Sequence, residues 1–558
     1  MKIRVTTESA LAGVGGEGPA GPSAEAPSAR SITTLLIPTL RIVLATAEQN
    51  FSDTIASSTI ALAKVTDDPA DALRITASLG DTHLADMDRE AAALALGCLR
   101  RTKPPAAFDG RFYDRLRTTL FEALDDRRQA RRTRCFAALA LGLLGDQATD
   151  EGDVFAKDGR LAIRGLWLRL ERPDTDDELA VSMLVGLSLQ NPRGVPSAVR
   201  DGLRRLAQSG DAGRRRRGSL PRAHALLALA RLGDGDGVGL ATAIVKSSNE
   251  DAHVRRSALL ALGILAPRME GPDREALAKT LLAHAKSGEP NTAGLALISA
   301  ARLLSAEFAE GRVSETALAT LRGLVDMADH GQFDVRPFAA LAVGLSCRPT
   351  GKALDDLGFV ESRSTALDKL RRLYADDGQD PVMRGAFAVA LGIAADSGAR
   401  VLLEATVASQ RGSSDVAAYA CAGLGLLGEV PSSTLAALRR ALADRSSELL
   451  QREAARALGL LGDARAVPML VTEVEHGGSD YLLARAVVAL GAIRDISSIA
   501  PLCALARRTA NTDLTRALAC AGLGLLADPE RIPSLSLLGI DSNYMARTEA
   551  LHEALSLL

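Results

Sequence analysis

The sequence predicts an all-α fold, a solenoid or superhelix of about 12 stacked helix pairs with helical caps. Three observations carry this expectation. Of 558 residues, 47% are hydrophobic but only 3% are aromatic, so Ala, Leu, Val and Ile make up the apolar mass. Such residues favour helices in close contact and nearly exclude an aromatic-rich sandwich, barrel or propeller. A phrase close to Ala-Leu-x-Leu-Gly-x-Leu-Gly-Asp also recurs along the chain, as at 138–146 and 455–463. Finally, its central small residue returns at 97, 142, 186, 230, 263, 301, 344, 392, 425, 459, 491 and 524, the last four intervals being 33, 34, 32 and 33 residues. A period of this size on a helical pattern means one array of helix pairs rather than several independent domains.

From the N-terminus, residues 1–30 form a Gly/Ala/Pro/Ser-rich tail with too little apolar content to fold, read as disordered. No apolar core follows Lys2 and Arg4, so no signal peptide is expected. The run 35–45 is too short and too interrupted by Pro38 and Arg41 to span a membrane, and no later run reaches 18 apolar residues. A cytoplasmic protein is the expectation. Helical patterns at 34–46, 55–65 and 69–79 lack the repeated phrase, so 31–84 is read as an N-terminal helical cap. The array runs over 85–540, with an insertion at 349–378 between the anchors at 344 and 392. Residues 541–558 place Ala550, Leu551, Ala554, Leu555 and Leu558 on one face and are expected to form a C-terminal capping helix.

Each unit has a physical grammar, clearest at 445–476. Ser446-Ser447-Glu448 signals a capped helix start. Leu450, Ala454, Ala457, Leu458 and Leu461 then share a face. Gly462-Asp463 ends the helix, because Gly suits the left-handed cap and Asp can bond nearby amides. A second short helix, 464–474, contains Pro468. Upstream of several phrase helices stands an Asp followed by an apolar residue and an Arg: Asp251…Arg255, Asp334-Val335-Arg336 and Asp380…Arg384. Capping by the Asp and an Asp–Arg ladder within or between units are expected.

These residues carry a resemblance. The unit Asp-x-x-Val-Arg…Ala-Leu-Gly-x-Leu-Gly-Asp…Ala-Val-Pro-x-Leu resembles HEAT repeats, and the short C-terminal units, as at 452–470, resemble the PBS-lyase-type HEAT-like subclass. The resemblance spans roughly 85–540 and is sharpest from 380 onward. It implies a right-handed solenoid with a concave face for protein partners. A non-enzymatic scaffold is therefore the leading expectation. Phycobilin lyase subunits, which attach or detach chromophores on antenna proteins, have similar short repeats and supply the alternative from an enzyme class.

Other motifs resolve into the repeat. Gly423–Gly428 and Gly522–Ala527 match a dinucleotide fingerprint on paper, but both end helices rather than linking a strand to a helix. Gly13–Gly18 lies in the tail. The seven histidines show no i+3 or i+4 pairing, so no metal site and no cofactor are expected. HEAT-like deoxyhypusine hydroxylases carry repeated His-Glu pairs that bind iron; here only His552-Glu553 matches. The six cysteines form no CxxC pair and read as small buried hydrophobes, and Trp167 reads as core.

Charge is balanced, with 66 Lys+Arg against 68 Asp+Glu, which disfavours a general nucleic-acid binder. One segment departs from this balance. Between Arg200 and Arg222 stand eight arginines against Asp201 and Asp211, and flanking glycines suggest that Arg214–Arg217 form a mobile loop. Arg204, Arg205, Arg214, Arg215, Arg216 and Arg217 are the candidate contacts for an acidic protein or an anion. A nucleic-acid-binding solenoid using this loop is a further alternative. Arg127, Arg128, Arg131, Arg132 and Arg134 read as helix decoration. Protein partners, a monomeric state and no membrane span complete the expectation.

Overall fold

A computed structural model describes residues 25–46, 52–100, 104–145, 162–213, 215–269, 271–287, 289–348, 351–409, 414–476 and 479–528. These residues are almost wholly helical, and the β-structure among them is one short hairpin, Asp211–Ala212 with Arg215–Arg216. The chain sorts into two units. One is the unbroken stretch 241–493; the other joins 25–240 to the residues from 494 onward. The tail segment 1–24 and the expected capping helix 541–558 lie outside the described residues.

In both units the helices alternate between two layers. A phrase helix carries the Leu-Gly motif, and a flanking helix precedes it in sequence and packs beside it. In the stretch 241–493 the phrase helices are Ala252–Leu265, Pro290–Ala309, Arg336–Ser346, Pro381–Ile393, Ser414–Leu426, Glu448–Leu460 and Asp480–Ile493, each stacked on the next. Their starts follow the grammar of the sequence. Asp251, Asp380 and Ser447 accept hydrogen bonds from amides of the first turn. Pro290–Ala309 is long and apolar enough to cross a membrane, but 67% of its apolar window is buried against its neighbours, as in a core helix.

Small anchors set the spacing between phrase helices. A Cβ added to Gly392 would lie 2.3 Å from the Gly423 carbonyl oxygen, and one added to Gly142 would lie 2.4 Å from the Gly186 Cα. No side chain fits there, so backbone meets backbone. Where an aromatic enters a seam, a glycine faces it: a Cβ added to Gly294 would lie 2.7 Å from the Phe338 ring, and one added to Gly385 2.5 Å from that of Tyr419.

The second unit stacks in an order that sequence proximity does not suggest. Its phrase-layer helices run Ser52–Val65, Asp86–Cys98, Arg131–Leu144, Asp177–Ser188 and Ser219–Arg231, and Asp513–Ala527 packs on the first of them. A Cβ added to Gly524 would lie 2.9 Å from the Ala61 Cα, and one added to Gly97 would lie 2.8 Å from the Ala140 Cα, so the two seams are alike. Polar links reinforce the joint. Lys64 pairs with Asp528 at 3.2 Å, both nearly buried. Thr54 donates to the Asp513 carboxylate and carbonyl, Arg507 to Thr39, and the Ile496 amide to the Glu25 carbonyl at 2.7 Å. Residues 52–65 lack the Leu-Gly signature, yet they sit in the phrase layer. Ala56, Ala61 and Ala63 are small enough for the seam without glycine.

The Asp–Arg element works differently from the expected ladder. Asp251 and Asp380 cap amides, whereas helix Arg336–Ser346, after Asp334, has Val335 at its start and no side-chain cap, and the Arg reaches back to the end of the preceding flanking helix. Arg384 donates to Tyr374 O at 3.0 Å, Arg336 to Ala328 O at 2.9 Å, Arg134 to Leu124 O at 2.8 Å and Arg516 to Ala506 O at 3.1 Å. A cation at a helix C-terminus satisfies orphan carbonyls and opposes the dipole. The ion pairs instead use the Asp that ends the phrase: Asp234 with Arg204, Asp396 with Arg371 and Asp463 with Arg439.

Candidate functional site

The arginine-rich segment folds as a hairpin rather than an open loop. Helix Ser197–Ser209 ends at Gly210 in the left-handed region, φ 84°, and Gly213 turns the hairpin at φ 59°. The Arg217 amide donates to Gly210 O at 2.8 Å and fixes the base. Its guanidinium is buried and donates to the carbonyls of Leu170 at 2.6 Å, Arg172 at 3.3 Å and Thr175, so it clamps the end of helix Ala162–Leu170 and the following turn. Burial first, then the neighbouring Arg215, pushes the Arg217 guanidinium below its ordinary pKa. Arg215 joins the clamp through Thr175 O at 2.8 Å and Pro173 O at 3.1 Å.

Arg204 is held by Asp234 at 2.7 Å, Asp236 at 2.8 Å and Asp201 at 2.9 Å, and the Asp234 hydrogen bond raises its pKa. Arg200 donates to Pro192 O at 2.6 Å and Leu232 O at 3.0 Å, and Arg222 to Ala207 O and Gln208 O. The local positive excess is therefore largely used inside the fold. Asp234 and Asp236 lie beyond the sequence window in which the excess was counted. Arg205 and Arg216 remain exposed, Arg216 anchored by its Nε to Ser209 O at 3.1 Å. Arg214 lies outside the described residues. The structure thus gathers Arg215 and Arg217 onto one turn and sets Arg204 in a separate acidic cluster.

Two other places could do chemistry or binding. A shallow cavity of about 300 Å³ between helices Gly271–Ser287 and Glu315–His330 is lined by Lys286, Asp326, Met327 and His330. Asp329, beside it, pairs with His330 at 3.0 Å and with Lys369 at 2.5 Å; of the three only His330 is exposed. Among the described residues no group of three or more His, Cys, Asp or Glu side chains could hold a metal. Burial pushes the thiols of Cys135, Cys347 and Cys520 up to about 12, which keeps them protonated and poorly nucleophilic.

The second place is apolar. Leu341, Ile393 and Leu426, from three successive phrase helices, form a cluster with Ile298, Leu345, Val389 and Leu460 packed against it. Helical spacing puts Leu341 with Leu345, and Val389 with Ile393, on one side of each helix. These side chains bury one another, the first three being 3%, 1% and 5% exposed. Exposed apolar residues are found elsewhere, notably Leu354, Leu357 and Val360 in the inserted segment. Sequence reasoning located that insertion by its interval but assigned it no role; its signal was three apolar residues interleaved with acids.

Known proteins share this repeat architecture. Residues 402–477 match the family described as HEAT repeats. No curated protein matches the chain. Among solved structures, it is similar to the complex of CpcE and CpcF of phycocyanin lyase from Nostoc sp. PCC7120, with 18% identity over 51% of this chain and 93% of that one, TM-score 0.30. It is similar to Kap95p, solved with RanGDP, with 14% identity over 93% of this chain and 69% of that one, TM-score 0.40. It is also similar to Kap121p, with 12% identity over 88% of this chain, TM-score 0.39, and spans 54% of that chain's length.

Proposed function

We propose that this chain, which carries HEAT repeats, is a non-enzymatic scaffold that binds another protein through the surface of its stacked helix pairs. One observation carries the reading. The repeated residues serve the stack itself, with small anchors in the seams, arginines on helix ends and phrase aspartates such as Asp234, Asp396 and Asp463 in ion pairs. Exposed apolar side chains nevertheless stand on the fixed frame of 241–493, among them Phe333 at 57% and Leu357 at 85%. Leu357 opens a helix and Phe333 lies in the short turn between two helices, and side chains held on such a frame bind at small entropic cost. A scaffold acting as a monomer fits this arrangement.

The test is capture by the full chain from its native source, followed by reconstitution of the recovered protein with purified chain. A stoichiometric protein complex supports the reading. A chain that forms no complex overturns it, and one that changes the spectrum of a bilin mixed with an apo-phycobiliprotein overturns it in favour of lyase-like chemistry. The exposed arginines are tested separately. Arg205→Ser combined with Arg216→Ser should weaken capture and flatten its salt dependence while leaving the fold intact, because neither side chain belongs to the Arg217 clamp. Unchanged binding removes the arginine hairpin from the interface.

A further inference from the structure

We infer that the inserted segment 351–361 is a docking tip for a protein segment that sets apolar side chains beside Lys or Arg. The inference deepens the scaffold reading and rests on it. Flanking helix Leu357–Ala375 has 19 residues, against 16 in Glu315–His330 before it and 10 in Arg400–Ser409 after it, and its start is lengthened further by the 3-10 turn Gly351–Asp355. This extra length is fixed in place. Phe359 is fully buried, its ring 4.5 Å from that of Phe308, and Ala353 is buried as well. Asp356 caps the helix by accepting from the Phe359 amide at 2.9 Å. One turn further on, Arg363 donates to Cys347 O at 2.6 Å and Ala394 O at 3.2 Å.

On this frame Leu354, Leu357 and Val360 are exposed by 46%, 85% and 41%, and Leu357 and Val360 share a helix side at i, i+3 spacing. A half-buried Leu318 from the neighbouring flanking helix extends the apolar surface, close enough that a Cβ added to Gly358 would lie 3.7 Å from it. Stacking does not require these side chains, since Phe359 and Ala353 already anchor the segment. The charge of the tip is predominantly acidic: 351–361 holds Asp355, Asp356 and Glu361 against Lys352. Asp356 serves the cap, while Asp355 and Glu361 are exposed. An apolar surface with an acidic border selects a ligand with the opposite border, which fixes its orientation and speeds its encounter. The rigid frame lowers the ordering cost of binding.

The probes are two labelled amphipathic helical peptides with the same leucine face, one flanked by lysines and one by glutamates, titrated against the full chain by fluorescence anisotropy. The lysine-flanked peptide should bind more tightly, and added salt should weaken it. Leu357→Asp should reduce its affinity at least tenfold. That position opens a helix and is exposed, so the substitution leaves the melting curve unchanged. Asp355→Lys with Glu361→Lys should reverse the preference between the peptides. Equal binding of the two peptides, or affinity indifferent to Leu357→Asp, overturns the site. So does a dimer of the free chain that Leu357→Asp abolishes, because the occupant is then a second copy. If Leu357→Asp loses the peptide but keeps the captured native partner, the partner docks elsewhere; this site is overturned as its interface and the scaffold reading stands.

Discussion

Two residues show what the repeat demands of single positions. Gly233 and Gly462, each just before a phrase aspartate, sit at φ 64° and 66°, and at the same place stand Ala395 at 50° and Arg494 at 58°. A side chain there strains the backbone. Ala395→Gly should therefore stabilise the protein by about 0.5–1 kcal/mol, read as a shift in denaturation midpoint. Arg494→Gly should gain less, since its guanidinium donates to Asp528 O at 2.8 Å. Glu289 gives a pH-dependent case. Against burial, which would raise its pKa, Arg256, Thr292 and the Asn291 amide hold it at about 2. Its folded pKa is depressed, so its contribution is present above the ordinary glutamate range and is lost as pH falls towards about 2. The carboxylate is half exposed and screened, so Glu289→Gln should cost about 1 kcal/mol or less at pH 7. That difference should shrink in denaturation measured at pH 3. The turn aspartates and capping residues at this scale were legible in the sequence. The carbonyl clamp of Arg217 was not, because its partners at 170–175 lie some forty residues away and are backbone atoms, which carry no sequence signal.

At the scale of the helix, the seam decides stability. Gly392→Ala would push a methyl into the Gly423 backbone, where nothing flexible can yield, and should destabilise by about 1–3 kcal/mol or more. A Cβ added to Gly239, in helix Gly237–Lys246, would meet nothing within 4 Å. Gly239→Ala should therefore stabilise by about 0.5–1 kcal/mol. Thermal melts of the two variants separate packing from propensity, since both make the same chemical change. The phrase, its period and most helix ends were legible because they are local and repeated. In the 445–476 unit Ser447 caps Glu448–Leu460, Gly462 is left-handed and Pro468 falls in the first turn of Val467–His476, as the grammar predicts, but the Asp463 side chain caps no amide and pairs with Arg439 instead, and 464–466 form a 3-10 turn before the second helix. Helix Ser52–Val65 was the harder case. Its alanines serve as anchors, but an alanine-rich helix without Leu-Gly looks like any core helix.

At the scale of the unit made from 25–240 and the residues from 494 onward, the first and last described helix pairs are neighbours. Terminal pairs of a stack normally need polar caps; here each covers the other with a small-residue seam. The buried pair Lys64–Asp528 belongs to that joint. Lys64→Met alone leaves a buried carboxylate without its ammonium partner and should cost about 3 kcal/mol, while adding Asp528→Asn should cost less than the sum of the two single changes. Such a joint was illegible in the sequence, because no periodicity records which distant helices meet. The most direct measurement is a cross-link. Thr54 and Asp513 touch across the joint, so Thr54→Cys with Asp513→Cys should form an intramolecular disulfide under mild oxidation, seen as a large mobility shift on a non-reducing gel. Absence of that shift, or cross-linking only between separate chains, would contradict the stacking of Asp513–Ala527 on Ser52–Val65.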